Sequence, residues 1–379
     1  MHKIVVLGAG MVGSAMAIDL AKTSKVTVCD RNRQSLEEIK SRCNTLETQL
    51  LDVSDLDTLK ATIKDFDLVI CAVPGFLGYQ TLKSIIETGK NVVDISFFPE
   101  NALDLHELAQ KMKVTAIVDC GVAPGMSNFV LGYYNEQLQI HFFECLVGGL
   151  PKVKKWPFNY KAPFSPVDVI EEYTRPARYV ENGEIVTKPA LSDTEYINFD
   201  RVGTLESFNS DGLRSIIYTM PHIKNMKEKT LRYPGHVELI KALRDSGFFS
   251  QEAMVFKGQT LTPLDFTTGI LVKEWKLGAT EEEFTVMRIS VRGINKQGKE
   301  ETIVYDLYDE YNVQTQTSSM ARTTGYTATA AAGLLLKGLF TAQGVFPPEL
   351  VGKHPNCFNF VLQHLEERGV VYHKTQTTA

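Results

Sequence analysis

HKIVVLGAGMVGSAMAIDLAKTSKVTVCD, residues 2–30, is the stretch on which the fold turns. Ile4 to Leu7 are four consecutive strand formers, enough for a strand buried on both faces, and Gly8, Gly10 and Gly13 follow at once as G-x-G-x-x-G. Met16 to Leu20 continue at helical spacing, and KVTVCD, residues 25–30, is a second strand ending on Asp30. The three glycines serve different ends. Gly8 permits the tight turn, Gly10 lets backbone approach a pyrophosphate, and Gly13 lets the helix pack on the strand. Met11 and Val12 open that helix, whose first amides face the phosphates. Asp30 stands 22 residues after Gly8, where a carboxylate can hold both ribose hydroxyls. A positive charge before an apolar run also resembles a leader peptide, but that reading explains neither Asp30 nor the strand-turn-helix-strand order. The segment is therefore read as dinucleotide-binding. NAD is favoured because Asp30 repels a 2′-phosphate; NADP is the alternative, with Arg31 either stacking on adenine or accepting that phosphate.

The alternation runs on. LETQLLDVSD supplies a third strand with Asp52 and Val53 at its carboxyl end, beside an adenine; FDLVICAVP is a fourth, ending at Ala72, Val73 and Pro74; NVVDIS and TAIVDC are a fifth and a sixth. Helical stretches at 79–88 and 102–112 lie between them. Strands alternating with helices predict a doubly wound parallel sheet, with ligands beyond the carboxyl ends of its strands. Asp94 and Ser96 reach that edge as further cofactor candidates, or Asp94 satisfies loop amides instead.

Past Gly121 the texture changes. GVAPGMSN is a Gly/Pro turn, GGLPKVKKWPFNYKAPFSP is rich in Pro and aromatics, and residues 284–293 and 301–309 read as a hairpin around NKQGK, with Val286, Arg288 and Ser290 facing Val304, Asp306 and Tyr308. A second, α+β domain with a mostly antiparallel sheet is expected here. ARTTGYTATAAAGLLLKGLF, residues 321–340, reads as a loop feeding an Ala-rich helix, and CFNFVLQHLEERGVVYH adds a helix and strand that pack back on the first domain. At 379 residues the chain can bury a large core, and a net charge of −5 leaves no basic field for nucleic acid or anionic lipid. The six cysteines show no paired spacing, the pattern of a reducing, cytoplasmic compartment. The apolar run TATAAAGLLLKGLF is too short and Gly-broken to span a membrane.

With CDRN, DCGVAPGMSN, PFNYKAPFSPVDVIEEYTRPARYVENGE, EKTLRYPGH, ARTTGY and GVFPPEL in this order, nearly the whole chain resembles the saccharopine dehydrogenase-like family, and within it the lysine 6-dehydrogenase branch. The resemblance implies a Rossmann domain, residues 1–122 completed by 320–379, and an inserted substrate and dimerisation domain, residues 123–319. It also implies a nicotinamide-dependent dehydrogenase acting on a lysine-like amine, and a homodimer. Saccharopine-forming reductases carry Asp in a G-x-D-P-G loop where this chain has Ala123, which weakens that branch; the carboxynorspermidine type shares the GGLP…NYK…SP layout and stays open. A non-catalytic NAD-binding protein is the reading from another class.

Oxidising an amine with NAD requires the ammonium to lose a proton first, at a cost of roughly 4 to 5 kcal/mol at pH 7 for a lysine side chain. Asp119, at the end of the sixth strand, and His236, at a helix start after the Pro234-Gly235 turn, are the candidate proton acceptors; both have bland alternatives as loop brace and helix cap. Arg232 and Arg322 are candidates to clamp the substrate carboxylate, with Tyr233, Thr323 and Tyr160 beside them, and with Thr324 and Lys161 nearby. The product would be 2-aminoadipate semialdehyde, which closes to a cyclic imine.

Overall fold

The computed structural model describes residues 1–163, 166–278 and 280–378; Phe164 and Ser165 of the Pro- and aromatic-rich stretch lie outside the described residues. Strands Lys3–Leu7 (β1), Lys25–Asp30 (β2), Glu47–Leu50 (β3), Leu68–Cys71 (β4), Asn91–Asp94 (β5) and Thr115–Ile117 (β6) lie parallel in the order β3-β2-β1-β4-β5-β6. The strand Gly344–Phe346 extends this sheet beyond β6, pairing Gly344 with Thr115. Ile4 and Val6 of β1 enter one apolar core and Val5 and Leu7 the other, which is why this strand has no polar alternation. The strand order turns back between β1 and β4, so the loop from β1 into helix Met11–Leu20 (α1) opens at the topological switch point.

Among the described residues the second sheet has nine strands, centred on Leu138–Pro151 (β7). Asn225–Arg232 pairs with β7 in parallel, and Glu283–Asn295 pairs with its other edge antiparallel. The hairpin Glu283–Asn295/Glu300–Glu310 has the expected register, with Val286 opposite Tyr308, Arg288 opposite Asp306 and Ser290 opposite Val304. Two expectations change. The last strand, Tyr372–Thr378, pairs with Glu300–Glu310, so the end of the chain joins the second sheet and not the Rossmann domain. The stretch ARTTGY is helix, not loop: Ser318 caps the helix Ser319–Leu336, its Oγ accepting from the Ala321 amide at 3.2 Å, and burial against α1 outweighs the weak helix preference of the threonines.

That helix packs on α1, and the one at Pro355–Glu366 packs on it in turn. Asp19 of α1 is buried and accepts from Arg368 Nε at 2.8 and 2.9 Å and from Thr329 Oγ1 at 2.8 Å, with His364 Nε2 3.6 Å away. Burial alone would raise the Asp19 carboxyl, but hydrogen bonds from His364 and Arg368 hold it well below the usual carboxylate range. No helix among the described residues is long and apolar enough to cross a membrane. Arg368→Ala leaves a buried carboxylate without its main cation and is expected to lower stability by about 3–5 kcal/mol in urea unfolding. In the wild type this contribution is present above the ordinary carboxyl pKa of 3.8 and is lost on acidification below it.

Candidate active site

The two sheets face each other across a cleft of about 1550 Å³. Gly8, Gly10 and Gly13 line one end of it. Gly8 has φ +111°, and a Cβ there would lie 2.5 Å from the Ala72 carbonyl oxygen; a Cβ on Gly13 would lie 2.1 Å from the Gly8 oxygen. A Cβ on Gly10 would meet nothing within 4 Å, so that backbone borders open space of the kind a pyrophosphate needs. Asp30 is tied into the same turn: its carboxylate accepts from the Ala9 and Asn32 amides, both at 2.7 Å, and still borders the cleft. Met11, Val12, Arg31 and Asp52 line the cleft, as do Val53, Ala72, Val73 and Pro74. These residues fit a dinucleotide. Asp94 and Ser96 are fully buried and off the cleft wall; Asp94 accepts from the Ser96 amide at 2.9 Å, and burial raises its carboxyl to about 7, so it braces the loop after β5.

The opposite wall is the strand Asn225–Arg232. Its alternation places Glu228, Thr230 and Arg232 on the cleft side, while Leu231 enters a core and Lys229 reaches Glu195 at 2.7 Å. Arg232 is only 2 % exposed. Its Nε donates to Tyr173 Oη at 3.1 Å, Nη2 to Glu172 at 2.9 Å and Nη1 to the Leu231 carbonyl at 3.0 Å, with the Tyr160 ring 4.3 Å beneath the guanidinium. Asp119, at positive φ (53°), also reaches the cleft and receives Arg214 Nε at 2.7 Å. Burial pushes its carboxyl up while Arg214 pulls it down. Asp211 is held bidentately by Arg178, at 2.9 Å to each oxygen. Glu228 makes no ion pair among the described residues: it is 5 % exposed, and burial followed by repulsion from Glu172 and Asp211 raises its carboxyl to about 8, with Arg214 pulling the other way. Its oxygen sits against Gly212, where a Cβ would come within 1.7 Å. Arg214 carries no sequence signal, but Glu228 does, since period-two spacing puts it on the face of Arg232.

Six candidates for the substrate site lie off the cleft wall. His236 is buried with both ring nitrogens engaged, Nδ1 with the Phe158 carbonyl and Nε2 with Tyr173 Oη, each at 2.9 Å; burial and Arg232 lower its pKa to about 3. A neutral imidazole without access to the cleft takes no substrate proton; it orients Tyr173, which orients Arg232. Tyr233 turns back to donate to the Pro151 carbonyl at 3.0 Å. Arg322 donates to the Glu310 and Arg368 carbonyls, both at 3.0 Å, and pairs with Asp309 at 3.3 Å. Thr323, buried in the same helix, donates to the Met320 carbonyl. Both follow from ARTTGY being helical, which turns Arg322 to the second sheet, buries Thr323 and leaves Thr324 on the cleft. Tyr160 sits behind Arg232 as its aromatic floor, and Lys161 donates to the Glu274 carbonyl.

Arg322→Ala is expected to cost about 3–5 kcal/mol in urea unfolding, through the carboxylate it strands at Asp309, and to leave the Michaelis constant for an amine unchanged. Gly10→Ala is expected to keep the wild-type melting temperature and weaken dinucleotide binding about tenfold or more by fluorescence titration. Gly13→Ala, pressed on the Gly8 carbonyl, is expected to lower the melting temperature itself.

Residues 4–117 match the saccharopine dehydrogenase NADP binding domain and residues 121–370 the saccharopine dehydrogenase C-terminal domain. The chain is 28 % identical to the glutamate-forming, NADP-linked saccharopine dehydrogenase of Pyricularia oryzae over 67 % of this chain and 59 % of that one. It is 22 % identical to bovine mitochondrial alpha-aminoadipic semialdehyde synthase over 99 % of this chain and 48 % of that protein, so it spans about half the length of such relatives. Carboxyaminopropylagmatine dehydrogenase of Synechocystis is 21 % identical, with 99 % of this chain and 98 % of that one covered. The apo glutamate-forming saccharopine dehydrogenase of Saccharomyces cerevisiae has the same fold, with a TM-score of 0.81 at 21 % identity over the full length of both chains. With the glycine cradle, the mixed sheet behind it and both domain matches in agreement, the chain belongs to the saccharopine dehydrogenase family of NAD(P)-binding oxidoreductases.

Proposed function

We propose that this protein oxidises the terminal CH–NH bond of a lysine-like amine, most simply as a lysine 6-dehydrogenase giving 2-aminoadipate semialdehyde. The observation that carries the reading is the strand face Glu228-Thr230-Arg232, which presents an acid, a hydroxyl and a cation to the cleft shared with the glycine cradle. A substrate with a carboxylate at one end and an ammonium at the other matches the two ends of that face. Residues 1–122 would hold the dinucleotide, with Gly8–Gly13 at the pyrophosphate and Asp30 at the ribose. The nicotinamide, when bound, accepts the hydrogen and electron pair that leave the amine-bearing carbon. Arg232, held by Tyr173 and Glu172, fixes the substrate carboxylate; Asp119, paired with Arg214, adds negative charge at the carboxyl end of the sheet. NAD is the proposed cofactor because Asp30 stands where a 2′-phosphate would have to sit. A reducing cytoplasm is supported by six unpaired cysteines, and a homodimer by the exposed Val255, Phe256, Phe266 and Ile270 of the inserted domain.

Reductive condensation of an amine with a carbonyl compound is the second reading, supported by the end-to-end match to carboxyaminopropylagmatine dehydrogenase. Incubation with NAD or NADP and a panel of L-lysine, saccharopine and carboxyalkyl amines separates them. NADH formation with L-lysine and none with the secondary amines is expected; the reverse pattern replaces the first reading by the second. Arg232→Lys keeps the charge and loses the fork, and is expected to raise the Michaelis constant for L-lysine about 10- to 100-fold. Its effect on cadaverine, which lacks the carboxylate, is expected to be under threefold.

A further inference from the structure

Of four acids grouped along the cleft wall, three have their own arginine: Asp119 with Arg214, Asp211 with Arg178, and Glu172 with Arg232. Glu228 is the exception in this group. More than nine-tenths of it is buried, no hydrogen bond or ion pair among the described residues reaches its carboxyl, and the residue still borders the cleft. Around it, Glu172 comes from the helix Pro166–Thr174, Asp211 and Arg214 from the loop after Gly203–Asn209, Asp119 from the end of the Rossmann sheet, and Cys145 from the paired strand β7. Tyr179 donates to the Glu228 main-chain carbonyl and leaves the side chain alone. Burying a carboxyl in this way is unfavourable unless a cation arrives to meet it or a proton rides on it.

We propose that Glu228 is the group that receives the ammonium of the substrate and takes its proton, and that it thereby selects substrates arriving as a primary ammonium with a carboxylate at the far end. This rests on the amine-oxidation reading and names the acid that serves it. One ammonium N–H bond breaks and an O–H bond forms on Glu228; the electron pair stays on nitrogen, so the step is a proton transfer without oxidation. The neutral amine then carries the lone pair that the departing C–H bond requires. A carboxyl raised to about 8 is ionised, and so able to take that proton, at mildly alkaline pH, and it is not tied to an arginine as Asp119 is.

Glu228→Gln preserves shape and removes the acid. For L-lysine oxidation between pH 7 and 9 its kcat is expected to fall about 100-fold or more, with the dinucleotide dissociation constant within twofold of wild type. A second readout needs no turnover. The folded carboxyl is raised from 4.5 to about 8, so the native state binds more protons than the unfolded state in that window, and the stability it contributes is lost as pH rises through about 8. E228Q is therefore expected to gain in melting temperature on the wild type between pH 6 and pH 9. Activity within threefold of wild type, or a melting-temperature difference that is flat with pH, overturns the proposal. If the wild type oxidises no amine, the functional reading falls and the melting comparison still decides whether Glu228 carries this proton. Should E228Q not fold, E228D decides: a kcat lowered at least tenfold supports the role, and full activity overturns it.

Discussion

Charge taken out of water has to be matched, and this requirement shapes the wall of the cleft. Arg232 is buried and is held by a line of hydrogen bonds that starts at the Phe158 carbonyl and passes through His236 and Tyr173 to its Nε. Glu172 neutralises the guanidinium and Tyr160 floors it. A group fixed this way loses little on meeting a planar carboxylate, because its orientation is already set. Glycines give this wall its closeness: a Cβ on Gly148 would lie 2.7 Å from the Leu231 oxygen, and one on Gly149 would lie 2.6 Å from Pro163 and 2.7 Å from Met320.

The cleft exists because the chain crosses between the sheets repeatedly. Helix Ser319–Leu336 packs on α1 through Gly325, whose missing Cβ would be 3.1 Å from Met16, and its capping region is tied to the second sheet through Glu283 and Asp309. Gly344–Phe346 then adds to the Rossmann sheet, and Tyr372–Thr378 returns to the other. The Rossmann sheet therefore contains strands from both sides of the inserted region, and the second sheet combines inserted strands with the last strand, Tyr372–Thr378. The glycine cradle and the strand Asn225–Arg232 are held opposite each other by both units, which suits a reaction that needs two ligands aligned within a fraction of an ångström.

The glycine turn and the strands around it were legible because local rules suffice there: a buried strand, glycines at positions where a side chain would strike the Ala72 or Gly8 carbonyl, and a carboxylate one strand later. The hairpin register was legible for the same reason, since alternation alone sets which residues face each other. Arg322 and Thr323 were misplaced because Thr-rich sequence reads as loop, whereas capping by Ser318 and packing on α1 make it helix. His236 was misjudged because a helix start predicts an accessible ring, and only the tertiary fold surrounds it with Phe158, Tyr160, Tyr173 and Trp275. Glu228 was within reach, two positions from Thr230 and four from Arg232 on the same strand, but its lack of a partner is a property of the folded cleft.

The most direct measurement is a crystal structure of the protein with a nicotinamide dinucleotide and L-lysine bound together. The account predicts the lysine carboxylate on the Arg232 guanidinium, its side-chain nitrogen against the Glu228 carboxyl, and the adjacent carbon facing the nicotinamide ring above Gly8–Gly13. Lysine bound away from the strand Asn225–Arg232, or reversed with its carboxylate at Glu228, contradicts it.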